Sequence, residues 1–164
     1  MAPPKSAPKS AERGAQVRFP PPLVFVGFVL VGLALQYAVA PISLPLDRWV
    51  TVAAGILISL AGLSLIVLAH KRFTQTGQNP VPWTPSPELV LEGPYRFTRN
   101  PMYLGITLIQ VGIGLAVNNF WICLLAAPAL LVVHFIAVLP EERYLAAKFG
   151  ENYKAYRAKV RRYL

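Results

Sequence analysis

The chain of 164 residues has the length of about one domain; 55% of its residues are hydrophobic and 14% are charged. Soluble domains carry about 25% charged residues, so this composition indicates an integral membrane protein. The net charge of +9 lies outside the apolar segments, which suits anionic lipid headgroups and leaves no soluble basic module for nucleic acid. Cys123 lies in an apolar run and the two histidines are far apart, so we expect neither a disulfide framework nor a metal site.

The N-terminal part of the chain contains a polar tail and a first apolar segment. Residues 1–19 are rich in Pro, Ala, Ser, Lys and Arg, which predicts a disordered basic tail. Residues 20–40 are almost purely apolar and long enough for one membrane span. A signal peptide is the alternative, because Ala38-Val39-Ala40 resembles a cleavage site. The length of the segment and the following Pro41 favour a retained helix.

A second span is predicted for residues 49–69, with Trp49 as an anchor at the membrane interface. Gly55, Ser59 and Gly62 recur at a spacing that places them on one helix face. Small residues on one face predict close packing against another helix, and the alternative is that they line a ligand cavity.

A long cytoplasmic loop is predicted for residues 70–101. Its residues 77–87 contain prolines at 80, 82, 85 and 87, which stiffen the chain into an extended path. Long structured loops are usually functional, and the alternative is a rigid linker.

The end of this loop, Gly93 to Gly105, is polar, basic and aromatic and continues directly into an apolar segment. Arg99 is costly in hydrocarbon, so it marks a membrane surface or a protein-lined cavity. Asn100-Pro101 is typical of a helix start, because Asn can cap the helix and Pro lacks the amide that would be unpaired. We interpret this stretch as the floor of a binding site.

Residues 102–117 and 120–139 predict two more spans, joined by a turn at Asn118-Asn119. His134 falls in the last turns of the second of these spans. A buried histidine bonded to a neighbour is one interpretation of His134, and a substrate contact is the other.

The C-terminal residues 141–162 alternate apolar and basic side chains at helical spacing, which predicts an amphipathic helix on the membrane surface, kinked at Gly150. Glu141 and Glu142 begin this helix, where the helix dipole alone would favour carboxylates. A role in a binding site is the alternative. Of the 16 lysines and arginines, all but Arg48 fall on one side of the four spans, so both termini and the long loop are expected in the cytoplasm. The predicted fold is all-α and polytopic, with four transmembrane helices and this surface helix.

Two motifs carry the chemistry of the chain. They are Arg99-Asn100-Pro101-Met102-Tyr103-Leu104-Gly105, and Glu141-Glu142-x-x-Leu145-x-x-x-Phe149-Gly150-x-x-Tyr153-x-x-Tyr156. At this separation they resemble the isoprenylcysteine carboxyl methyltransferase family and the related phospholipid methyltransferases. The resemblance covers roughly residues 75–164.

The resemblance implies an S-adenosylmethionine site built by the last two membrane helices and the cytoplasmic segments. The positions that match cofactor-binding residues are Glu88, Leu89, Val90, Tyr95, Asn100, Pro101, Met102, Tyr103 and Glu141. Arg99 and Glu142 are expected to orient polar groups at the site. No residue stands out as a general base, and Glu142 and His134 are the candidates.

Three positions qualify the resemblance. Asn100 stands where the prenylcysteine enzymes carry histidine, and it can form hydrogen bonds but cannot titrate. Ala137 stands where those enzymes carry a substrate-contacting arginine, which argues against a prenylcysteine carboxylate as substrate. Gly112-Ile113-Gly114 resembles a cofactor signature, but in mid-helix it is better explained by helix packing.

The sequence thus predicts a membrane methyltransferase that uses S-adenosylmethionine and acts on a lipophilic acceptor entering from the bilayer. A phospholipid N-methyltransferase acting on an amine headgroup is the enzymatic alternative, and a non-catalytic membrane module is the alternative of another class. Because the chain is short and shows no eukaryotic targeting signal, we expect a bacterial inner membrane.

Overall fold

The computed structural model describes residues 15, 17, 19–77 and 86–163. Within these ranges the regular structure is helical, apart from an isolated parallel bridge between Thr98 and Arg161. The proline-rich segment predicted at 77–87 falls almost entirely outside the described residues. The prediction of an all-α membrane protein is confirmed by the helices that follow.

The first two helices are α1, Pro21–Ala38, with 18 residues, and α2, Arg48–Gln75, with 28 residues. Both are apolar and long enough to cross a membrane. At ~1.5 Å per residue they measure about 27 and 42 Å. Because α2 ends at Gln75, it extends past the predicted end at residue 69, and its last turns occupy the beginning of the predicted loop.

The third helix, α3, is Pro101–Ala116, with 16 residues. It is apolar but shorter than the other candidate spans, because ~24 Å of helix falls short of a hydrocarbon core of about 30 Å. A short 3₁₀ helix, Gly93–Arg96, precedes it within the predicted loop.

The last span and the surface helix form one composite helix. It consists of α4, Phe120–Leu124, α5, Ala126–Val133, a π-helix, His134–Val138, and α6, Leu139–Lys159. Its 40 residues correspond to ~60 Å, about twice the hydrocarbon thickness. The apolar part ends at Leu139, so we assign 120–139 to the membrane and the rest of α6 to the space outside it.

Pro140 separates the predicted span 120–139 from the predicted surface helix 141–162, but it does not interrupt the composite helix. It lies in the first turn of α6, and the π-helix immediately before it widens the backbone where a proline ring would otherwise clash with the preceding turn. The predicted surface helix is thus the continuation of the fourth predicted span.

The small residues of α2 pack against α3, as predicted. A side chain added at Gly62 would place its Cβ 2.5 Å from the carbonyl oxygen of Gly105, and one at Gly55 would be as close to that of Gly112. The two backbones therefore approach at distances that only glycine permits. Gly112 belongs to the Gly-Ile-Gly run, which the structure uses for helix packing.

Two parts of the chain differ from the sequence prediction. Ala15 and Val17, in the tail predicted to be disordered, are buried against α5, the π-helix and Tyr144. Tyr153 and Tyr156, assigned to the apolar stripe of a surface helix, are buried inside the protein. They reach the interior because α6 bends at Gly150, whose φ of 51° is non-helical, as the predicted kink requires.

Candidate functional site

A cavity of about 430 Å³ lies where the start of α3, the end of α2 and the start of α6 meet. Its volume is within the range of ~300–1,000 Å³ that is usual for sites of small molecules. Ile66 and Ile106 contribute apolar surface, and Arg99, Glu141 and Glu142 contribute charged groups. The cavity therefore combines an apolar wall with a few ionisable side chains.

The segment before α3 is held by the C-terminal residues of the chain. Asn100 occupies the N-cap position of α3, but its side chain does not cap the helix as predicted. Its Nδ2 instead donates a 3.0 Å hydrogen bond to the carbonyl oxygen of Arg162, which also accepts a 3.0 Å bond from the Thr98 hydroxyl. Asn100 is thus oriented by a contact across 62 positions of the chain.

Glu141 is bonded across the cavity to α3. The Tyr103 hydroxyl donates a 2.5 Å hydrogen bond to its Oε1. Burial, with a smaller contribution from the negative charge of Glu142, raises the pKa of Glu141 to about 7 against the lowering effect of the Tyr103 bond. A cation beside this carboxylate would stabilise its ionised form.

Glu142 is paired with two arginines. The Arg162 guanidinium donates Nε to Oε1 and Nη2 to Oε2, both at 2.9 Å, and Arg99 Nη1 lies 3.3 Å from Oε1. Burial alone would raise the pKa of Glu142, but the bonds from Arg162 and the charge of Arg99 lower it below its ordinary value. Glu142 is therefore ionised at neutral pH, which makes it a poor general acid.

Arg99 keeps one donor free at this site. Its side chain is 8% exposed, yet its buried Nε has no hydrogen-bond partner among the described residues. Leaving a buried donor unpaired costs about 1–3 kcal/mol, so such an atom beside a cavity indicates a ligand that supplies an acceptor.

Tyrosines form much of the remaining wall. The hydroxyl groups of two of them form hydrogen bonds with backbone atoms. The Tyr156 hydroxyl donates a 2.7 Å bond to the carbonyl oxygen of Tyr95, and the Tyr144 hydroxyl accepts one from the amide of Ser86. Burial raises the pKa of Tyr95 above its ordinary value, with Glu141 adding to the shift. The Tyr95 phenol is thus a neutral group rather than a base.

The structure brings nearly all the predicted site residues together. Eleven of them line the cavity: Glu88, Leu89, Val90, Tyr95, Arg99, Asn100, Pro101, Met102, Tyr103, Glu141 and Glu142. His134 is not among the described lining residues; its Nδ1 lies 3.0 Å from the Tyr163 hydroxyl. That contact matches the interpretation of a histidine bonded to a neighbour.

Several residues at the site have no counterpart in the sequence prediction. Phe73 and Tyr144 line the cavity, and Arg162 reaches it through Glu142. Tyr153 and Tyr156 were predicted to contact lipid, yet they line it as well. Aromatic spacing along α6 signalled a buried face, but it carried no information on whether protein or lipid covers that face.

Comparison with known proteins points to membrane methyltransferases. The chain is similar to the protein-S-isoprenylcysteine O-methyltransferase of Schizosaccharomyces pombe, with 35% identity over 72 residues, which cover 44% of this chain and 30% of that protein. It therefore spans less than a third of the length of that relative. It is also similar to an uncharacterized protein of Haemophilus influenzae, with 38% identity over 63 residues, which cover 38% of this chain and 100% of that protein.

A match of wider coverage comes from a family profile. The matched residues, 50–152, include nearly all of α2, the whole of α3, the apolar part of the composite helix and both glutamates at the start of α6. This range is more than half of the chain, and the protein therefore belongs to the phospholipid methyltransferase family.

Proposed function

We propose that this protein is an integral membrane methyltransferase that uses S-adenosylmethionine and methylates a lipophilic acceptor entering from the bilayer. One observation carries the proposal: the positions expected to bind the cofactor surround one cavity, although they come from three separate parts of the sequence. Family membership supports methyl transfer in general.

The residues of the cavity fit an S-adenosylmethionine molecule. The donor has a sulfonium, an ammonium and a carboxylate, and it supplies an activated methyl group when bound. Glu141 offers a carboxylate for a cationic group, and the unpaired Nε of Arg99 offers a donor for an anionic one. The buried phenol of Tyr95 offers a neutral wall.

In this proposal the chain contributes alignment. Displacement at a sulfonium methyl requires the attacking atom, the methyl carbon and the sulfur to lie in line, and it gains most from fixed geometry. Tyr95, Asn100, Tyr103 and Glu141 would position the donor, and Arg99 and Glu142 would orient the polar groups of both reactants. Held by these residues, the donor would supply its methyl group to the acceptor and would be left as a neutral thioether.

A lipophilic acceptor is supported by the apolar side of the cavity. Pro20, Pro21 and Pro22 at the start of α1, with Ile66 and Ile106, line it beside the polar groups. Such a wall suits an acyl or prenyl chain more than a water-soluble acceptor. The same arrangement suits a site facing the cytoplasm, where the donor is dissolved, and we place both termini on that side of a bacterial inner membrane.

An amine headgroup as acceptor, as in a phospholipid N-methyltransferase, is favoured by Ala137. This residue stands where the prenylcysteine enzymes carry an arginine, and it is fully buried among Val133, Val138 and Ala129. The position therefore offers no cation to a substrate carboxylate.

The first experiment is calorimetric titration of S-adenosylmethionine into the detergent-purified protein. We expect the wild type to bind, Glu141→Ala to lose binding, and Glu151→Ala to bind as the wild type does, since Glu151 is exposed further along the same helix. No binding by a folded, monodisperse wild type would contradict the enzyme proposal and leave a non-catalytic membrane module.

A second experiment separates the two kinds of acceptor. Membranes containing the protein are incubated with a donor carrying a labelled methyl group, and the lipids are then extracted and separated by headgroup. Label in an amine headgroup supports the phospholipid enzyme, whereas label that mild base releases as methanol indicates a methyl ester and supports a carboxylate acceptor.

A further inference from the structure

We infer that the C-terminal segment, residues 160–163, is part of the site, and that Arg162 is a positioning residue that orients Glu142 and Asn100. The inference rests on the proposed function for the identity of the ligand, but the contacts that carry it belong to the protein alone. Residue 162 lies outside the family match at 50–152, so the family comparison says nothing of it.

The backbone of this segment is paired with the segment that leads into α3. The amide of Arg99 donates a 3.0 Å hydrogen bond to the carbonyl oxygen of Arg161, within the bridge between Thr98 and Arg161. This pairing fixes the register between two stretches more than 60 positions apart. Arg162 is thereby brought directly opposite Asn100.

Arg162 then acts through both its backbone and its side chain. Its carbonyl oxygen accepts from the side chains of Thr98 and Asn100. Its guanidinium holds Glu142 with two bonds of 2.9 Å. A bidentate pair of this kind fixes the plane of the carboxylate as well as its distance, so one residue aligns groups on two walls of the cavity.

The two arginines contact Glu142 in different ways. Arg162 holds both carboxylate oxygens at 2.9 Å, whereas Arg99 approaches one of them at 3.3 Å. Without Arg162, the buried carboxylate would be left to Arg99, and the attraction would draw the Arg99 guanidinium toward Glu142. Arg162 therefore leaves Arg99 available to the cavity that it lines, with its Nε still unpaired.

Tyr163 secures the end of the segment. Its hydroxyl lies 3.0 Å from Nδ1 of His134, the first residue of the π-helix, and the two rings are tilted against each other. The segment thus contacts the start of α3, the start of α6 and the π-helix between α5 and α6. The first two of these elements line the cavity, and the π-helix anchors the end of the segment beside them.

The test compares Arg162→Ala with Arg161→Ala in the full-length protein. Arg161 carries the same charge one position earlier, and its side chain is exposed, which makes it a matched control. Hydrogen exchange without any ligand is followed over 97–104 and 139–146. We expect exchange in both ranges to accelerate about fivefold or more in Arg162→Ala and to stay unchanged in Arg161→Ala.

Binding of S-adenosylmethionine provides a readout that general loosening would not give. Arg162→Ala is expected to bind about tenfold more weakly, and Arg162→Lys should recover part of the loss because it restores the charge without the two-pronged geometry. If Arg162 acts through Glu142, the double variant Arg162→Ala/Glu142→Gln should bind no more weakly than Glu142→Gln. Additive losses, or equal exchange in Arg162→Ala and Arg161→Ala, would overturn the inference.

Hydrogen exchange and ligand binding are separate measurements, so this inference and the proposed function can fail independently. A wild type that binds no S-adenosylmethionine contradicts the proposed function, and the exchange comparison then decides the inference by itself. If Arg162→Ala does not yield a monodisperse protein, Arg162→Lys is compared with Arg161→Lys by the same two measurements.

Discussion

The hydroxyl of Tyr103 in α3 and the carboxylate of Glu141 in α6 are joined by a 2.5 Å hydrogen bond across 38 positions of the chain. The bond links the starts of two helices that both line the cavity. It also leaves the second carboxylate oxygen of Glu141 for another partner. The pair therefore connects the two helices and also forms part of the cavity lining.

Removal of this bond is expected to weaken both stability and ligand binding. Tyr103→Phe should lower the free energy of unfolding by about 1–3 kcal/mol, because a hydrogen bond to a charged group is lost, and weaken S-adenosylmethionine binding by roughly fivefold to tenfold. Thermal melts and calorimetry measure the two effects. Tyr37→Phe is the control, since Tyr37 is 87% exposed on α1. Equal behaviour of the two variants would rule out a role for the bond.

The raised pKa of Glu141 predicts opposite effects of pH on binding and on stability. Because burial holds this pKa at about 7 instead of 4.5, the folded protein binds the proton more tightly than the unfolded chain. Stability without ligand should therefore decrease as the pH rises from about 4.5 to about 7. Binding of a cationic ligand requires the ionised form, so affinity should increase about tenfold between pH 6 and pH 8.

Glu141→Gln provides the check on this pH dependence. The variant cannot ionise at this position, and both trends should flatten while overall binding becomes weaker. Calorimetry at several pH values in one detergent is sufficient. Unchanged trends in Glu141→Gln would assign them to another group.

Close packing of α2 on α3 predicts a strong position dependence for Gly→Ala. A Cβ at Gly62 would lie 2.5 Å from the carbonyl oxygen of Gly105, so Gly62→Ala should destabilise by about 1–3 kcal/mol. Gly27 in α1 has nothing within 4 Å of such a Cβ, and Gly27→Ala should be neutral or stabilising because Ala favours the helix. The difference in melting temperature between the two variants measures how much the close contact contributes to stability. Similar melting temperatures would mean that α2 and α3 move apart at little cost.

Ala137→Arg tests whether this position can hold the substrate-contacting arginine of the prenylcysteine enzymes. Ala137 is fully buried in an apolar cluster, so a guanidinium there should cost at least ~3 kcal/mol. Ala155→Arg, at an exposed position of α6, should leave the melting temperature nearly unchanged. A stable Ala137→Arg variant that methylates a prenylcysteine would show that the position is open to substrate after all.

The helices were predictable because their signals are local and repeated. Gly55 and Gly62 share a helix face in any α-helix, and their spacing predicted packing on another helix, which the structure identifies as α3. The Asn118-Asn119 turn was equally visible: Asn118 adopts a positive φ of 53°, and the Asn119 side chain caps α4 by accepting from the amide of Ile122. Both asparagines do what their short side chains allow in any turn.

The site was predictable to the extent that its motifs are contiguous. Asn100 and Glu141 were identified from their motifs, and the structure surrounds one cavity with them. The hydrogen-bond partner of Asn100 could not be predicted in this way. Helix capping is a local preference, whereas the Arg162 carbonyl oxygen that the Asn100 side chain contacts instead belongs to a distant segment. Nor could the sequence indicate that Pro140 continues a helix, because the π-helix that accommodates it has no sequence signature of its own.

The bend at Gly150 has a consequence for the reach of the chain. A straight α6 would carry residues 151–159 about 13 Å further along the helix axis, away from Thr98 and Asn100. The φ of 51° and ψ of −122° at Gly150 turn the axis back instead, although a Cβ there would meet nothing within 4 Å. The obstacle to another residue is thus the backbone angle and not lack of space. A single pair of torsions determines whether the two ends of the site are within bonding distance.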